Sequence, residues 1–407
     1  MTSRLARLLL VALLVVSLAL RSPQLMLLFV LLALVAGASA VWGRYCLAGV
    51  TYTRRFETQR LFCGEQLELW VEIVNAKPLP LAWLKAEDEV PEDFNVDKLE
   101  LASAGKSKRR LLSTLTSLRW YERVRRRYRL HARRRGAYDF GPAVVTSGDI
   151  FGFQTRSREL PDEEQVIVYP RLASLEKLGL QAARPGGEWL TDRRVVEDPL
   201  RLAGARDYAP GDSMRHIHWK STARRGMLQT KVFEAAANQH LMIALNGQTL
   251  EHAFEGVLTD YFETVVMVAA SLARAAAEAR YPVGLVTNNG ARGEGPSIRV
   301  PASRHGSQLT RLLEVMARLT HFTWMPFDQL LRREAASLPF GATVIAVSAL
   351  VTEPIQAALL ALHDAGHPAA LVVVAEAGRV PETSLPASIP VYAVTENWTD
   401  LATLELD

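Results

Sequence analysis

RDYAPGDSMRHIHWKSTARRGMLQTK, Arg206 to Lys231, divides the chain into a strand-patterned first half and a second half where strands and helices alternate. Pro210-Gly211 predicts a turn, because Pro fixes φ and Gly permits a positive one. Asp212 or Ser213 can then cap a short helix by accepting a backbone N–H. Met214, Ile217 and Trp219 lie where they can reach a core, with Arg215 and His218 directed elsewhere. Arg224-Arg225-Gly226 reads as the helix end, with cations at the negative pole of the dipole and Gly beyond. Met227 to Glu234 reads as a strand.

Arg206, Arg215 and Arg224 flank Asp207 and Asp212. A guanidinium can hold a carboxylate and backbone carbonyls at once. Two readings follow. One is an internal polar clamp at a domain junction, with Arg206, Asp212, Arg215 and Arg224 in one network and Trp219 packed beside it. The other is an anion or partner site.

Downstream, His240–Leu245, Val283–Thr287, Ala342–Val347, Ala369–Ala375 and Val391–Val394 are short apolar strands. Helical patterns cover Phe254–Ala279, Gln308–Leu319, Phe327–Ala336 and Pro354–Ala365. Asn288-Asn289-Gly290 reads as a turn and Ser297–Val300 as a hairpin partner. Continuous apolar strands between helices predict a mainly parallel, doubly wound sheet.

Upstream, from Thr51, the pattern has period two. Leu67, Leu69, Val71 and Ile73 alternate with Glu68, Trp70, Glu72 and Val74. Further strands are expected at Leu81–Glu87, Arg109–Thr116, Glu122–Arg133, Tyr138–Thr146 and Gln165–Tyr169, with Asp88–Lys108 polar and irregular between them. Several short strands predict a small sandwich or barrel. In Glu122–Arg133 the residues Val124, Tyr128, Leu130 and Ala132 can face inward. Arg123, Arg125, Arg127, Arg129, His131 and Arg133 then share the other face. That face is either solvated and balanced by Glu68 and Glu72, or attracted to anionic lipid headgroups.

At the N-terminus, Leu5–Leu20 and Gln24–Trp42 are apolar runs separated by Arg21-Ser22-Pro23. Each is near the length that spans a bilayer, so they predict a transmembrane helical hairpin. A signal peptide ending at Ala38-Ser39-Ala40 is the competing reading, but the apolar stretch is far longer than such peptides use. Arg4 and Arg7 precede the hairpin, and Arg44, Arg54 and Arg55 follow it. The positive-inside rule therefore expects a multi-pass protein of the inner, cytoplasmic membrane with its soluble domains in the cytoplasm. The expected organisation is a hairpin over 1–45, a β-rich sandwich-like domain over 46–175, a signature junction over 176–236 and an α/β domain over 237–407.

Arg206, Tyr208, Gly211, Asp212, Arg215, Ile217, Trp219, Ala223 and Arg224 fall into the pattern R-x-Y-x-P-G-D-x-x-R-x-I-H-W-K-x-x-A-R. This resembles the signature of the domain of unknown function 58 family. Gly136, Tyr138, Gly141-Pro142 and Asp149-Ile150-Phe151-Gly152 are similar to further family features, with Ile150 in place of a Pro and Phe153 in place of a Leu. The resemblance implies a membrane-anchored bacterial protein, encoded beside MoxR-type AAA+ ATPases and transglutaminase-like proteins, and no established reaction. It also implies that the α/β region is von Willebrand factor type A-like. Such domains hold a metal through D-x-S-x-S, where this chain has Asn246-Gly247-Gln248-Thr249-Leu250. Ser348-Ala349-Leu350 also lacks an Asp. No metal site and no cofactor are expected.

The two cysteines, Cys46 and Cys63, exclude a disulfide framework, and a net charge of +4 is too small to imply nucleic-acid binding by itself. No HExxH, CxxC, Walker A or GxSxG motif occurs. His216 and His218 lack the further ligands of a zinc set. Two functional classes remain. The first is a non-catalytic interaction or scaffold protein that docks a protein partner through Arg206, Tyr208, Gly211, Asp212, Arg215, His218, Trp219 and Arg224. The second is an enzyme with a site around Asp207, Asp212 and His218.

Overall fold

The computed structural model describes residues 2–97, 101–103, 105, 108–150, 152, 154–176, 197–235, 240–251, 256–291, 298–376 and 381–395. The chain divides into two compact units, Met1–Tyr169 and Pro170–Asp407. Arg206–Lys231 therefore belongs to the same unit as the α/β elements. Phe151, Phe153, Phe254 and Ser297, and residues 177–196 of the expected junction, lie outside the described residues.

The first unit begins with helices α1 (Thr2–Ala19) and α2 (Pro23–Tyr45). Pro23 occupies the first turn of α2, where its missing N–H removes no helical bond. The Ser17 hydroxyl lies 3.8 Å from Met26 Sδ, joining the two helices. Among the described residues one helix, α2, is long and apolar enough to cross a bilayer, and the described apolar part of α1 covers Leu8–Ala19.

The strands that follow among the described residues are β1 (Val50–Phe56), β2 (Arg60–Phe62), β3 (Gln66–Asn75), β4 (Leu81–Pro91), β5 (Phe94–Val96), β6 (Ala102–Ser103), β7 (Arg109–Leu118), β8 (Arg123–Ala132), β9 (Gly136–Phe140), β10 (Ala143–Gly148), β11 (Thr155–Leu160) and β12 (Glu164–Tyr169). They form sheets ordered β1-β3-β8-β5, β11-β10-β4-β7-β6 and β2-β12-β9. The period-two reading of β3 holds: Leu67, Leu69, Val71 and Ile73 are all buried. The expected single strand over Tyr138–Thr146 is two, β9 and β10, broken at Gly141-Pro142.

Asp88 departs most from expectation. It opens the stretch read as irregular, yet it continues β4 and its carboxylate is buried. The reason is Arg54, read from sequence as a membrane-flanking charge. Arg54 Nη1 donates to Asp88 Oδ1 at 2.5 Å, and its other nitrogen donates to the Asp162 carbonyl. The Tyr52 hydroxyl donates to Asp88 Oδ2 at 2.7 Å. Burial pushes the Asp88 carboxyl up, with Arg54 and Tyr52 opposing, and burial also raises Tyr52 well above its usual range. Gly141 closes the cluster at φ 98°; a Cβ there would lie 2.6 Å from the Arg54 guanidinium.

The second unit contains a ribbon of β13 (Glu197–Asp207) and β14 (Gln229–Ala235), with α3 (Trp219–Arg225) between them. Then come β15 (Leu241–Leu245), α4 (Thr259–Glu278), β16 (Val283–Thr287), β17 (Asn289–Ala291), β18 (Ile298–Ser303), α5 (Gln308–Arg318), β19 (Leu319–Thr323), α6 (Phe327–Ala335), β20 (Thr343–Ser348), α7 (Glu353–Asp364), β21 (Ala369–Val374) and β22 (Val391–Val394). The main sheet has the order β18-β16-β15-β20-β21-β22. All its pairings are parallel except that of β18 with β16. Every residue of β15, β16, β20 and β21 is buried, as expected where both faces of a sheet are covered. Alternate residues such as Met242, Ala244, Val344 and Leu371 pack with Phe327, Leu331 and Leu359 of α6 and α7. The Asn288-Asn289-Gly290 stretch is more than a turn, since β17 pairs with β19, a strand absent from the sequence reading.

Candidate functional site

The signature folds as an arch over its own ribbon. The Tyr208 N–H donates to the Leu228 carbonyl at 3.0 Å, His218 N–H to Gln229 O at 2.7 Å, and Ile217 bridges Thr230. Ile217 is buried, as its apolar character demands. Gly211, at φ 109°, makes the turn that Pro210-Gly211 predicts.

Asp212 fastens the arch. One oxygen accepts from Arg206 Nη2 at 2.6 Å; the other accepts from Ala209 N–H at 3.0 Å and the Thr230 hydroxyl at 3.1 Å. The Arg206 hydrogen bond comes first, with the two further donors, in holding the Asp212 carboxyl down to about 2. Asp212 and Ser213 do not cap the helix. Met214–His216 form a single 3-10 turn, and α3 starts later, at Trp219. Its cap is His218, whose Nδ1 accepts the Ser221 N–H at 3.0 Å. Its end is as read: Gly226 is left-handed at φ 69° and its N–H meets the Thr222 carbonyl.

The single arginine network does not form. Arg206 pairs with Asp212, but among the described residues Arg215 and Arg224 make no ion pair and both are exposed. Trp219 is 67% exposed and Met214 64%. A capped α3 with few residues points its Trp away from the ribbon, so the expectation of a packed Trp219 is overturned. Met227 and Leu228 are exposed beside them in sequence. The stretch thus presents large apolar side chains among Arg215, Lys220, Arg224 and Arg225.

Asp207, Asp212 and His218 do not share a reacting centre. Asp207 Oδ1 accepts from Gln229 Nε2 at 2.5 Å, Asp212 holds Arg206, and His218 caps α3. Each group is engaged in holding the arch.

At the carboxyl ends of β15, β16 and β20 the described residues form a polar cluster of amides and hydroxyls. Asn246 Oδ1 accepts from Gln248 N–H at 3.0 Å and Asn288 Nδ2 at 3.0 Å, while Asn246 Nδ2 donates to Ser348 Oγ at 2.9 Å. Asn288 Oδ1 accepts from Gly247 N–H, and Thr249 Oγ1 from Leu258 N–H. Asn246, Asn288, Asn289 and Ser348 are fully buried. Among the described residues no group of three His, Cys, Asp or Glu is placed to hold a metal ion. A cleft of about 300 Å³ lies nearby at the ends of β21 and β22, lined by Asp260, Tyr261, Thr264, Ala375, Glu376 and Thr395 among others.

On β8, Arg123, Arg125, Arg127 and Arg129 share one exposed face. Glu72 meets Arg125 at 2.5 Å and Arg123 at 3.4 Å; Glu68 meets Arg127 at 3.4 Å and Arg129 at 4.0 Å. Arg127 also lies over the Trp70 ring. His131 pairs with Asp97, and Arg133 lies beyond the strand.

Solved structures similar to parts of the chain include the CARDB domain of the PF1109 protein from Pyrococcus furiosus and a cohesin module from Clostridium perfringens. The first is 12% identical over 29% of this chain and 91% of its own, with a TM-score of 0.19. The second is 10% identical over 29% and 97%, with a TM-score of 0.20. Scores this low identify no fold. The Uncharacterized protein YeaD of Bacillus subtilis is 25% identical over 229 residues, 56% of this chain and 53% of YeaD. The chain therefore spans about half the length of the curated relative it matches. The arch, the ribbon strand that follows it and the main sheet as far as β21 fall within residues 204–376, which match the family described as Protein of unknown function DUF58.

Proposed function

We propose that this is a membrane-anchored, non-catalytic interaction protein whose signature arch docks a protein partner. The observation that carries the reading is Trp219, 67% exposed on a helix fixed at both ends by His218 and Gly226. A rigid, exposed Trp among arginines is the composition of an interface hot spot. A MoxR-type AAA+ ATPase, acting with a transglutaminase-like protein, is the partner class this reading takes up. Against the enzyme reading stands the engagement of Asp207, Asp212 and His218 in separate structural bonds.

The anchor is the hairpin of α1 and α2 in the cytoplasmic membrane, which leaves both its ends and the remaining domains on the cytoplasmic side. A topology reporter fused after Arg55 should behave as cytoplasmic; periplasmic activity would reverse the orientation. We read the first unit's strands as a sandwich, and the main sheet as a doubly wound, von Willebrand factor A-like domain that has replaced its metal site with neutral amides. The basic face of β8 offers anionic lipid only what Glu68 and Glu72 leave uncompensated. Reversing Arg125, Arg127 and Arg129 to Glu should weaken vesicle binding, and unchanged binding would remove that face from the account.

The decisive test is recovery of the ATPase with the full chain from detergent-solubilised membranes. Trp219→Ala should abolish recovery while leaving melting unchanged. Full recovery with the variant would end the docking reading.

A further inference from the structure

The joint between α2 and the strands that follow it is built in detail. Ser39 and Gly43 lie one turn apart and are buried on the same face of α2. The Ser39 hydroxyl donates to Asp149 Oδ2 at 2.8 Å. A Cβ on Gly43 would lie 2.8 Å from the Cβ of Gln154, so glycine is what lets the two backbones approach. Asp149 and Gln154 bound the turn between β10 and β11, and the Gln154 N–H closes it on Asp149 Oδ1 at 2.6 Å.

A second set of bonds fixes the end of the helix. Lys77 Nζ donates to the carbonyls of Cys46 at 2.5 Å and Ala48 at 2.7 Å. Arg158 donates to those of Leu47 and Val50. Both cations hold carbonyls of the short connection from the C-cap of α2, Cys46, to Val50 at the start of β1. The segment carrying Lys77 is in turn stitched to the turn between β7 and β8. Tyr121 N–H donates to Lys77 O at 3.2 Å, and Asn75 Nδ2 to Arg119 O at 2.8 Å.

These bonds set depth. The 23 residues of α2 rise about 34 Å, slightly more than a hydrocarbon core of about 30 Å. Ser39 is six residues before Tyr45, so the β10–β11 turn sits against the helix about 9 Å back toward the bilayer. That turn carries Ile150, 57% exposed. The β7–β8 turn, tied to the helix end through Lys77, carries Trp120 at 66% and Tyr121 at 68%. Trp and Tyr are the residues that favour the level of the headgroups.

We propose that the end of the strand-rich region nearest α2 is itself a phospholipid-binding surface, with Ile150 entering the acyl boundary and Trp120 and Tyr121 lying among the headgroups. This rests on the reading of α2 as a membrane anchor. It gives the region a fixed orientation on the bilayer, where a single helix on a flexible linker would leave it free.

The test uses the full chain in phosphatidylcholine vesicles, with an environment-sensitive fluorophore on Ile150→Cys or Trp120→Cys. Leu31→Cys, midway along α2, reports the anchor. Glu57→Cys, beyond the far end of β1 and about 23 Å along the strand, reports the aqueous side. Cys46 and Cys63 are buried, and the labelled parent chain gives their background. The labels at Leu31, Ile150 and Trp120 should be blue-shifted, quenched by nitroxide lipids and several-fold less open to iodide than the label at Glu57. Either Ile150 or Trp120 behaving like Glu57, with Leu31 still protected, overturns the lipid-binding surface alone. Leu31 behaving like Glu57 overturns the anchor, and the surface with it.

Discussion

Two of the arginine–aspartate pairs among the described residues have nearly the same chemistry in opposite surroundings. In the first unit, Arg54 and Asp88 meet at 2.5 Å, both buried, with the hydroxyl of the half-buried Tyr52 on the second carboxylate oxygen. In the second unit, Arg206 and Asp212 meet at 2.6 Å with a threonine hydroxyl on the second oxygen, and the arginine is half in water. The contrast shows that burial decides what such a pair does. The sheltered pair keeps strands, a carbonyl and a glycine turn in register, and breaking it leaves a charge with nowhere to go. The open pair shapes an arch, and water can replace either partner.

Four experiments sharpen or break this contrast. The largest effect should come from Asp88→Ala, which strands the Arg54 guanidinium in the interior and should cost about 3–5 kcal/mol in denaturant unfolding. A loss comparable to that of a surface substitution would mean the pair is hydrated. Next is Gly141→Ala, which forces a Cβ against Arg54 and the Asp162 carbonyl and should cost about 1–3 kcal/mol by the same measurement.

Asp212→Asn should act less, and with a pH signature. The folded Asp212 titrates at about 2, below its usual 3.8, so its contribution is complete above about pH 4 and is lost as the pH falls toward 2. The gap in unfolding midpoint between the parent chain and the variant should close over that window. A gap that ignores pH would remove Arg206 as the cause. Smallest is Mg²⁺, whose addition should leave melting and calorimetric heats unchanged, because the Asn246 oxygen already accepts two N–H groups. Micromolar binding would restore a metal to the sheet's carboxyl end.

Much of the fold was legible because burial leaves a periodic trace. The alternation of β3 and the continuous apolar runs of β15, β20 and β21 could be read directly, as could the left-handed Gly226 that ends α3. What escaped was short or long-range. β17 and β19 carry no pattern of their own and exist because they pair with each other. The helix cap moved from Asp212 to His218 because the carboxylate is taken up by the Arg206 guanidinium and the Ala209 N–H. Trp219 looked like core because it is large and apolar, yet seven helical residues give it no opposing surface.

By itself, then, the sequence determined the order of the elements, the apolar α2 and the distinctive residues of the arch, since periodicity, turn chemistry and motif are local properties. Only the tertiary structure decided which charges are sheltered. Asp88 and Asp212 look alike in the chain, each a carboxylate among polar neighbours. Arg54 lies 34 residues from its partner and Arg206 only six from its own. The solvation of each pair depends on the sheets or solvent around it, which no local window contains.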